Sequence, residues 1–369
     1  VHKLDTVNAT RNSASRIVLK LTIQDEAEDN DEAPLTREQR LTIALCLLVV
    51  CVFVTRLLTM LQSHMLGEVM LGTQGILHGT PLFRVFQNRL LGPILVDGTH
   101  WIFRQNYEDS YRLTMSLLEC LSIISCYGLV RNITKQASLG LLGAASFSFA
   151  VLLVQDARYF YIWDAIDLTT MLIFAYVVFH AKADLRILLP LFFVELLNRE
   201  SAAYIPLWMI IYGVSRYNCR AGFRSSSNKA SVLIGALGCV LLAFGAWWTE
   251  ELRMLLFKHS CVASVNLDST HGMGQWFELV NNLQGLSAFF NPADFALALL
   301  CTVGIIYMCY SLSRQSGRDC YPIIVLLAGM LSSVWMFGIV DETRVWLDYV
   351  PFGIVYVFTF KPFAAYGNP

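Results

Sequence analysis

The sequence predicts an all-α fold: a polytopic bundle of about nine or ten transmembrane helices. Three observations carry that prediction. Apolar runs of roughly 18 or more residues recur along the chain, each long enough to cross about 30 Å of hydrocarbon. Runs such as 41–54 and 295–308 are apolar on every side, whereas a helix on the surface of a soluble domain keeps a polar stripe. Hydrophobic residues make up 56% of the 369 residues and charged residues 15%. The short alternating segments of a membrane β-barrel are not seen.

Residues 1–40 are polar and contain the acidic stretch Asp25–Glu32, which predicts a disordered cytoplasmic tail. No cleavable signal peptide is expected, and the run from Leu41 serves as an uncleaved first anchor. The transmembrane domain covers 41–361, with spans at 41–60, 112–130, 138–155, 162–181, 231–248, 295–312, 321–340 and 346–361, and a short cytoplasmic tail at 362–369. Between 187 and 215 lie two short apolar stretches, 187–197 and 201–215, on either side of Asn198-Arg199-Glu200. Two short helices that dip into the membrane and return compete there with one tilted helix.

Lysine and arginine in short connections set the orientation. Arg131 and Lys135, Lys182 and Arg186, Arg216 to Lys229, and Arg314 and Arg318 fall on one side if 187–215 is a hairpin, together with Arg37, Arg40 and Lys361. That side is expected to be cytoplasmic, with the N-terminus. The opposite side then holds two long loops, at about 61–111 and 249–294, and three tight turns. The first loop, with its apolar run Leu90–Val96 and with Trp101, Phe103 and Tyr107, predicts interfacial helices carrying aromatic rings at headgroup level.

Other classes of function find no support. A net charge of −1 gives no pull toward nucleic acid. The ten cysteines show no CxxC and no Cys/His cluster, and the histidines no HExxH, so no metal site is expected. GxSxG, P-loop and GxGxxG motifs are lacking, and no cofactor is implied.

What does call for explanation is the charge on the non-cytoplasmic side. Ionisable groups at a membrane's edge are costly unless paired or functional. There the three turns set a carboxylate within two residues of an arginine: Asp156 with Arg158, Glu200 with Arg199, and Glu342 with Arg344. Asp164 and Asp167 open the span after the first of them, and Arg84, Arg89 and Asp97 lie in the first long loop. Each pair alone is readable as a helix cap or ion pair. Three together on the side of the long loops point to one shared polar cavity. Glu195, among Val194, Leu196 and Leu197, needs a partner, and Arg199 four residues later is expected to supply it.

Several short motifs occur in a recognisable order: Asn88-Arg89-Leu90-Leu91-Gly92-Pro93, then Asp164 or Asp167, then Asn198-Arg199-Glu200-Ser201, then Glu342-Thr343-Arg344 with Pro351. In that order the chain, over about 41–361, resembles uncharacterised bacterial multi-span proteins related to the GT-C superfamily of membrane glycosyltransferases. The resemblance implies a GT-C-like bundle in a bacterial inner membrane. It implies transfer of a sugar from a polyprenyl-phosphate carrier to a glycan or lipid acceptor on the non-cytoplasmic face. Family members carry the catalytic carboxylate in the first outer loop, where Glu68 is the best positional match and Asp97 the second. Arg84, Arg89, Arg199 and Arg344 become candidates for the phosphate, and Asp164, Asp167, Asn198, Glu200 and Glu342 for sugar hydroxyls or for orienting those arginines. The chain lacks the paired acidic motif directly after the first span and a soluble domain after the last. Two other classes stand beside this reading: a transporter or flippase for an anionic or lipid-linked substrate, and a non-catalytic membrane subunit.

Overall fold

The computed structural model describes residues 35–63, 65–79, 89–155, 160–180, 183–217, 226–257, 279–280, 282–283, 292–314, 320–338 and 343–360. Arg84, Asp156, Arg158, Asp341, Glu342, the acidic tail, most of 249–294 and 362–369 lie outside them. Val1–Thr36 and Arg37–Pro369 are separate units, and the helices belong to the second.

Among the described residues, each segment expected to be apolar and membrane-embedded forms helix. In chain order the helices are α1 (Arg37–Gln62), α2 (Leu66–Leu77), α3 (Leu91–Phe103), α4 (Tyr107–Thr134), α5 (Ala137–Val154), α6 (Ile162–Phe179), α7 (Leu185–Leu196), α8 (Tyr204–Arg216), α9 (Ser226–Phe257), α10 (Pro292–Arg314), α11 (Cys320–Phe337) and α12 (Tyr349–Thr359). Short 3-10 turns at Glu200–Ala203 and Thr343–Trp346 precede α8 and α12. Seven of the described helices are long and apolar enough to cross a membrane: α1, α4, α5, α6, α9, α10 and α11. The molecule is an integral membrane helical bundle.

Two expectations change. α1 starts at Arg37, within the stretch assigned to the tail, because Arg37, Glu38 and Arg40 extend its first turns beyond the apolar run. The segment 346–361 is not a full span. α12 has 11 residues, about 16 Å at 1.5 Å per residue, because the chain before Tyr349 is spent on a 3-10 turn and a bend that carry Asp348 inward.

Named contacts fix the helix directions. The Asn198 side chain reaches Trp163 O and Thr170 reaches Glu195, so α7 runs antiparallel to α6. Ser201 lies level with Asp167, and Trp208 packs edge-on to Phe174, so α8 runs back parallel to α6. The segment 187–215 is therefore an antiparallel pair, not one tilted helix. At 12 and 13 residues, about 18 and 20 Å, neither helix of the pair can span the membrane alone. α4 and α12 also run parallel to α6: Asn132 meets Tyr176, while Phe352 and Tyr356 meet Phe174 and Phe179.

α6 is the centre of the bundle. Of its apolar window 83% is buried, against 17% for α1 and for α9, which present Leu48, Val52, Phe53 and Leu233 outward. Between helices in lipid, burying apolar surface gives little driving force, so close packing and internal hydrogen bonds decide. The α8–α9 seam shows this. A Cβ on Gly213 would lie 2.6 Å from Ser231 O, and one on Gly238 would lie 2.8 Å from Pro206 O. Glycine at these positions lets the two backbones touch.

These directions bring one set of helix ends together: the starts of α4, α6, α8 and α12 and the ends of α7, α9 and α11. We call this the polar end. The first residue of α3 is tied to it by a hydrogen bond from Leu91 N–H to Leu197 O (2.9 Å).

Candidate functional site: a buried ion cluster with one reachable carboxylate

The polar end is built around Arg199. α7 stops at Leu196, and the next residues bend before the 3-10 turn, with Arg199 in extended backbone (φ −161°, ψ 162°). That bend aims the guanidinium at the first two turns of α6 and at the start of α12. Its Nη1 lies 2.9 Å from Asp167 Oδ2, 3.3 Å from Asp164 Oδ1 and 3.3 Å from Asp348 Oδ1. Asp164 also accepts from Tyr161 N–H at 2.9 Å and so caps the start of α6. The three carboxyl groups are nearly inaccessible.

Glu195 joins the cluster from the other side and is fully buried. The sequence spacing predicts a pair with Arg199. Instead the Arg199 side chain turns to the three aspartates, and Glu195 is met by hydroxyl and amide groups. Asn198 Nδ2 donates to its Oε1 (3.2 Å), Ser201 Oγ lies 2.8 Å from the same oxygen, and Thr170 Oγ approaches Oε2. The reason is geometric. The helix ends at Leu196, so Arg199 is no longer one helical turn above Glu195 on the same face. Ser201 Oγ also lies 3.0 Å from Asp167 Oδ1, so one hydroxyl bridges two acids.

Three carboxyl groups contact one guanidinium and Glu195 lies behind them, joined through Ser201, and such a group is neutral only if protons stay among the acids. Asp348 holds one of them. Burial and then the neighbouring Asp167 push it well above the ordinary carboxylate range, against the pull of Arg199. Burial works against the charge on Arg199, but Asp348, Asp167 and Asp164 more than reverse this, so the guanidinium stays protonated.

Glu200 differs from all of these. Its side chain is 44% exposed, and two arginines bracket it: Arg89 Nη2 at 3.1 Å from Oε2 and Arg253 Nη2 at 3.5 Å from Oε1. Arg89 stacks its guanidinium over Trp163, 5.2 Å from the ring centroid, and Trp163 stacks in turn on Tyr161. Arg253, from the last turns of α9, is steadied by Glu250 at 2.6 Å. Partial burial alone would raise the Glu200 carboxyl. Arg89, its own backbone N–H, Arg253 and Arg199 together bring it below the ordinary range, so it is a carboxylate at neutral pH.

The structure thus brings together Arg89, Asp164, Asp167, Asn198, Arg199 and Glu200. The two carboxylates placed first for catalysis make no hydrogen bond or ion pair with this cluster among the described residues. Glu68 is exposed on α2, whose buried face carries Leu66, Val69 and Thr73, and Asp97 is exposed on α3. Arg344 lies in the 3-10 turn before Asp348, while Arg84 and Glu342 lie outside the described residues. Asp348 and Arg253 are the additions. Both left a trace in the sequence: an acid just before the apolar stretch that begins at Tyr349, and a charged run, Glu250-Glu251-Leu252-Arg253, just after a span. Among the described residues no group of three His, Cys, Asp or Glu side chains is arranged to hold a metal ion.

Fold and site together define a polytopic membrane protein with a buried, internally compensated ion cluster at one end of its bundle. No family model, curated protein or solved structure matches the chain.

Proposed function

We propose that this protein is a membrane transferase that moves a sugar from a polyprenyl-phosphate carrier to a hydroxyl acceptor, with the reaction at the polar end. The observation that carries the reading is Glu200: a reachable carboxylate between two arginines, set on a buried ionic base. The acceptor oxygen attacks the anomeric carbon as that carbon's bond to the phosphate oxygen breaks. Glu200 takes the acceptor's proton, and the carrier leaves as polyprenyl phosphate. Arg89 and Arg253 offer planar, charge-assisted donors to the leaving phosphate. Arg199 is saturated by its own acids, so its part is to hold the Glu200 turn in position. The substrate class is taken from the resemblance drawn from the sequence, whose Asn-Arg-Glu turn is the segment that carries Glu200.

The test is transfer by the purified protein in proteoliposomes, with a panel of polyprenyl-phosphate sugars labelled in the sugar. The expected result is loss of label from the carrier, slowed about 100-fold or more in Glu200→Gln. Failure of every donor, or a wild-type rate in Glu200→Gln, contradicts the proposal.

The antiparallel half-length pair α7–α8 favours a second reading, transport of an anionic or lipid-linked substrate, because discontinuous helices are a recurrent transporter device. In the same vesicles, label that crosses the bilayer still attached to its carrier supports that reading over transfer.

A further inference from the structure

A second acid lies far from the polar end. Glu119 is on α4, 12 residues into the helix, or about 18 Å along its axis. It is 4% exposed, on the buried face that includes Met115, Ser122, Ile123 and Cys126. Its Oε1 is buried without a hydrogen-bond partner, and the nearby Thr55 hydroxyl of α1 pairs with Cys120 Sγ at 3.9 Å. Ser122 directs its own hydroxyl to the Glu119 backbone carbonyl (2.8 Å) and does not serve the carboxyl.

The helices packed around Glu119 supply no charge to compensate it. α1 offers Cys51, Val54, Thr55 and Leu58 on its buried face, and its Arg56 lies on the exposed face. α5 contains no charged residue at all. The acids of α6, Asp164 and Asp167, sit in its first two turns and are bound to Arg199. α12 contributes Tyr349 and Tyr356, and the preceding Asp348 belongs to the Arg199 cluster. On α3, Asp97 and His100 are exposed. Within α4 the nearest side chain able to titrate is Cys120, which contacts Thr55.

Among the described residues no cation faces this carboxyl, and an ionised carboxylate buried this way with one oxygen unsatisfied costs several kcal/mol, so the group takes up a proton instead. We propose that Glu119 is a proton-binding site within the membrane, in the seam between α1 and α4, and that its ligand is the proton itself. The neutral acid has one O–H and one carbonyl oxygen, and leaving that carbonyl unpaired costs far less than burying an anion. Losing that proton would leave an uncompensated anion between α1 and α4, so unloading requires the seam to part and admit water. The site is separate from Glu200 and does not depend on the transferase reading.

The test is infrared difference spectroscopy of the protein in lipid nanodiscs, comparing wild type with Glu119→Gln and Glu119→Asp at neutral pH. The expected result is a carbonyl stretch of a protonated carboxyl that is lost in Glu119→Gln and kept, at a shifted frequency, in Glu119→Asp. A hydrophobic carbodiimide, which adds to protonated carboxyls in apolar surroundings, should mark the peptide bearing Glu119 in the wild-type protein. Should Glu119→Gln fail to fold, that labelling and the Glu119→Asp spectrum decide the matter. Identical spectra in the carboxyl region for wild type and Glu119→Gln, or a wild type in which neither band nor adduct is found, would overturn the proposal.

Discussion

Arg89 and Glu200 stand 111 residues apart in the chain and 3.1 Å apart in space. Their pair joins the segment before α3 to the turn between α7 and α8. Its carboxylate is partly exposed, as it is in the second pair with Arg253. The Arg199 pairs beside it are closed off. That contrast divides the site into a part that holds and a part that acts, and the two should respond differently to mutation.

Arg199→Ala should be severe for stability. Removing the cation leaves Asp164, Asp167 and Asp348 buried beside one another, and breaking a buried pair costs about 3–5 kcal/mol. The expected result is a large drop in the thermal midpoint of the detergent-solubilised protein. Adding Asp167→Asn should recover part of it, because the cycle is non-additive for groups that share one partner. An Arg199→Ala protein as stable as wild type would show that the cluster holds nothing together.

Arg89→Gln should show the opposite balance. Glu200 is partly solvated and keeps Arg253, so losing Arg89 and its stacking on Trp163 should cost about 1–2 kcal/mol, less than losing Arg199. The transfer rate should nevertheless fall by about 100-fold or more, on the scale lost when one oriented donor to a developing charge is removed. Unfolding midpoints and transfer rates measured on the same preparation separate the two effects.

Asp348 predicts a pH dependence. Its folded-state carboxyl is raised, so the folded state binds the proton more tightly than the unfolded chain does. The stability this contributes is fully present below the unfolded value of about 4 and is lost as pH rises through the folded value. Asp348→Asn keeps a neutral side chain of the same shape. Its thermal midpoint should decline less on going from neutral to alkaline pH, and the two profiles should approach or cross at high pH. Parallel profiles would contradict a protonated Asp348.

Gly238→Val should loosen the α8–α9 seam, since its Cβ would meet Pro206 O at 2.8 Å and the backbone cannot give way as a flexible side chain would. Overpacking of this kind costs about 1–3 kcal/mol. Because α9 delivers Arg253 to Glu200, the variant should also lower transfer more than Gly245→Ala does, where the nearest contact is the Phe192 ring at 3.4 Å.

Much of the architecture is legible in the sequence. Uniformly apolar runs mark every long helix, and basic connections argue for the hairpin at 187–215. The Asn198-Arg199-Glu200 turn stands out because charge is conspicuous inside a greasy stretch. The pairing is what the sequence does not supply. The spacing of Glu195 and Arg199 suits a helical ion pair, yet the helix ends between them and the partners come from α6 and α12. Asp348 is hidden inside an expected span, since one acid barely lowers the hydropathy of its neighbours, and Glu119 is hidden in the same way. Glu68 fits a catalytic role by its position in the first loop, but helix phase, which position does not reveal, turns it outward.

The central claim is that the Glu200 turn and the Asp348 turn belong to one end of the bundle, facing one compartment. Side-specific thiol labelling in a cysteine-free background tests it most directly, with single cysteines at Glu200, at Thr343 and, for the other end, at Ser226. An impermeant reagent added from one side of sealed vesicles should label Glu200→Cys and Thr343→Cys and spare Ser226→Cys. Labelling of the first two from opposite sides would contradict it.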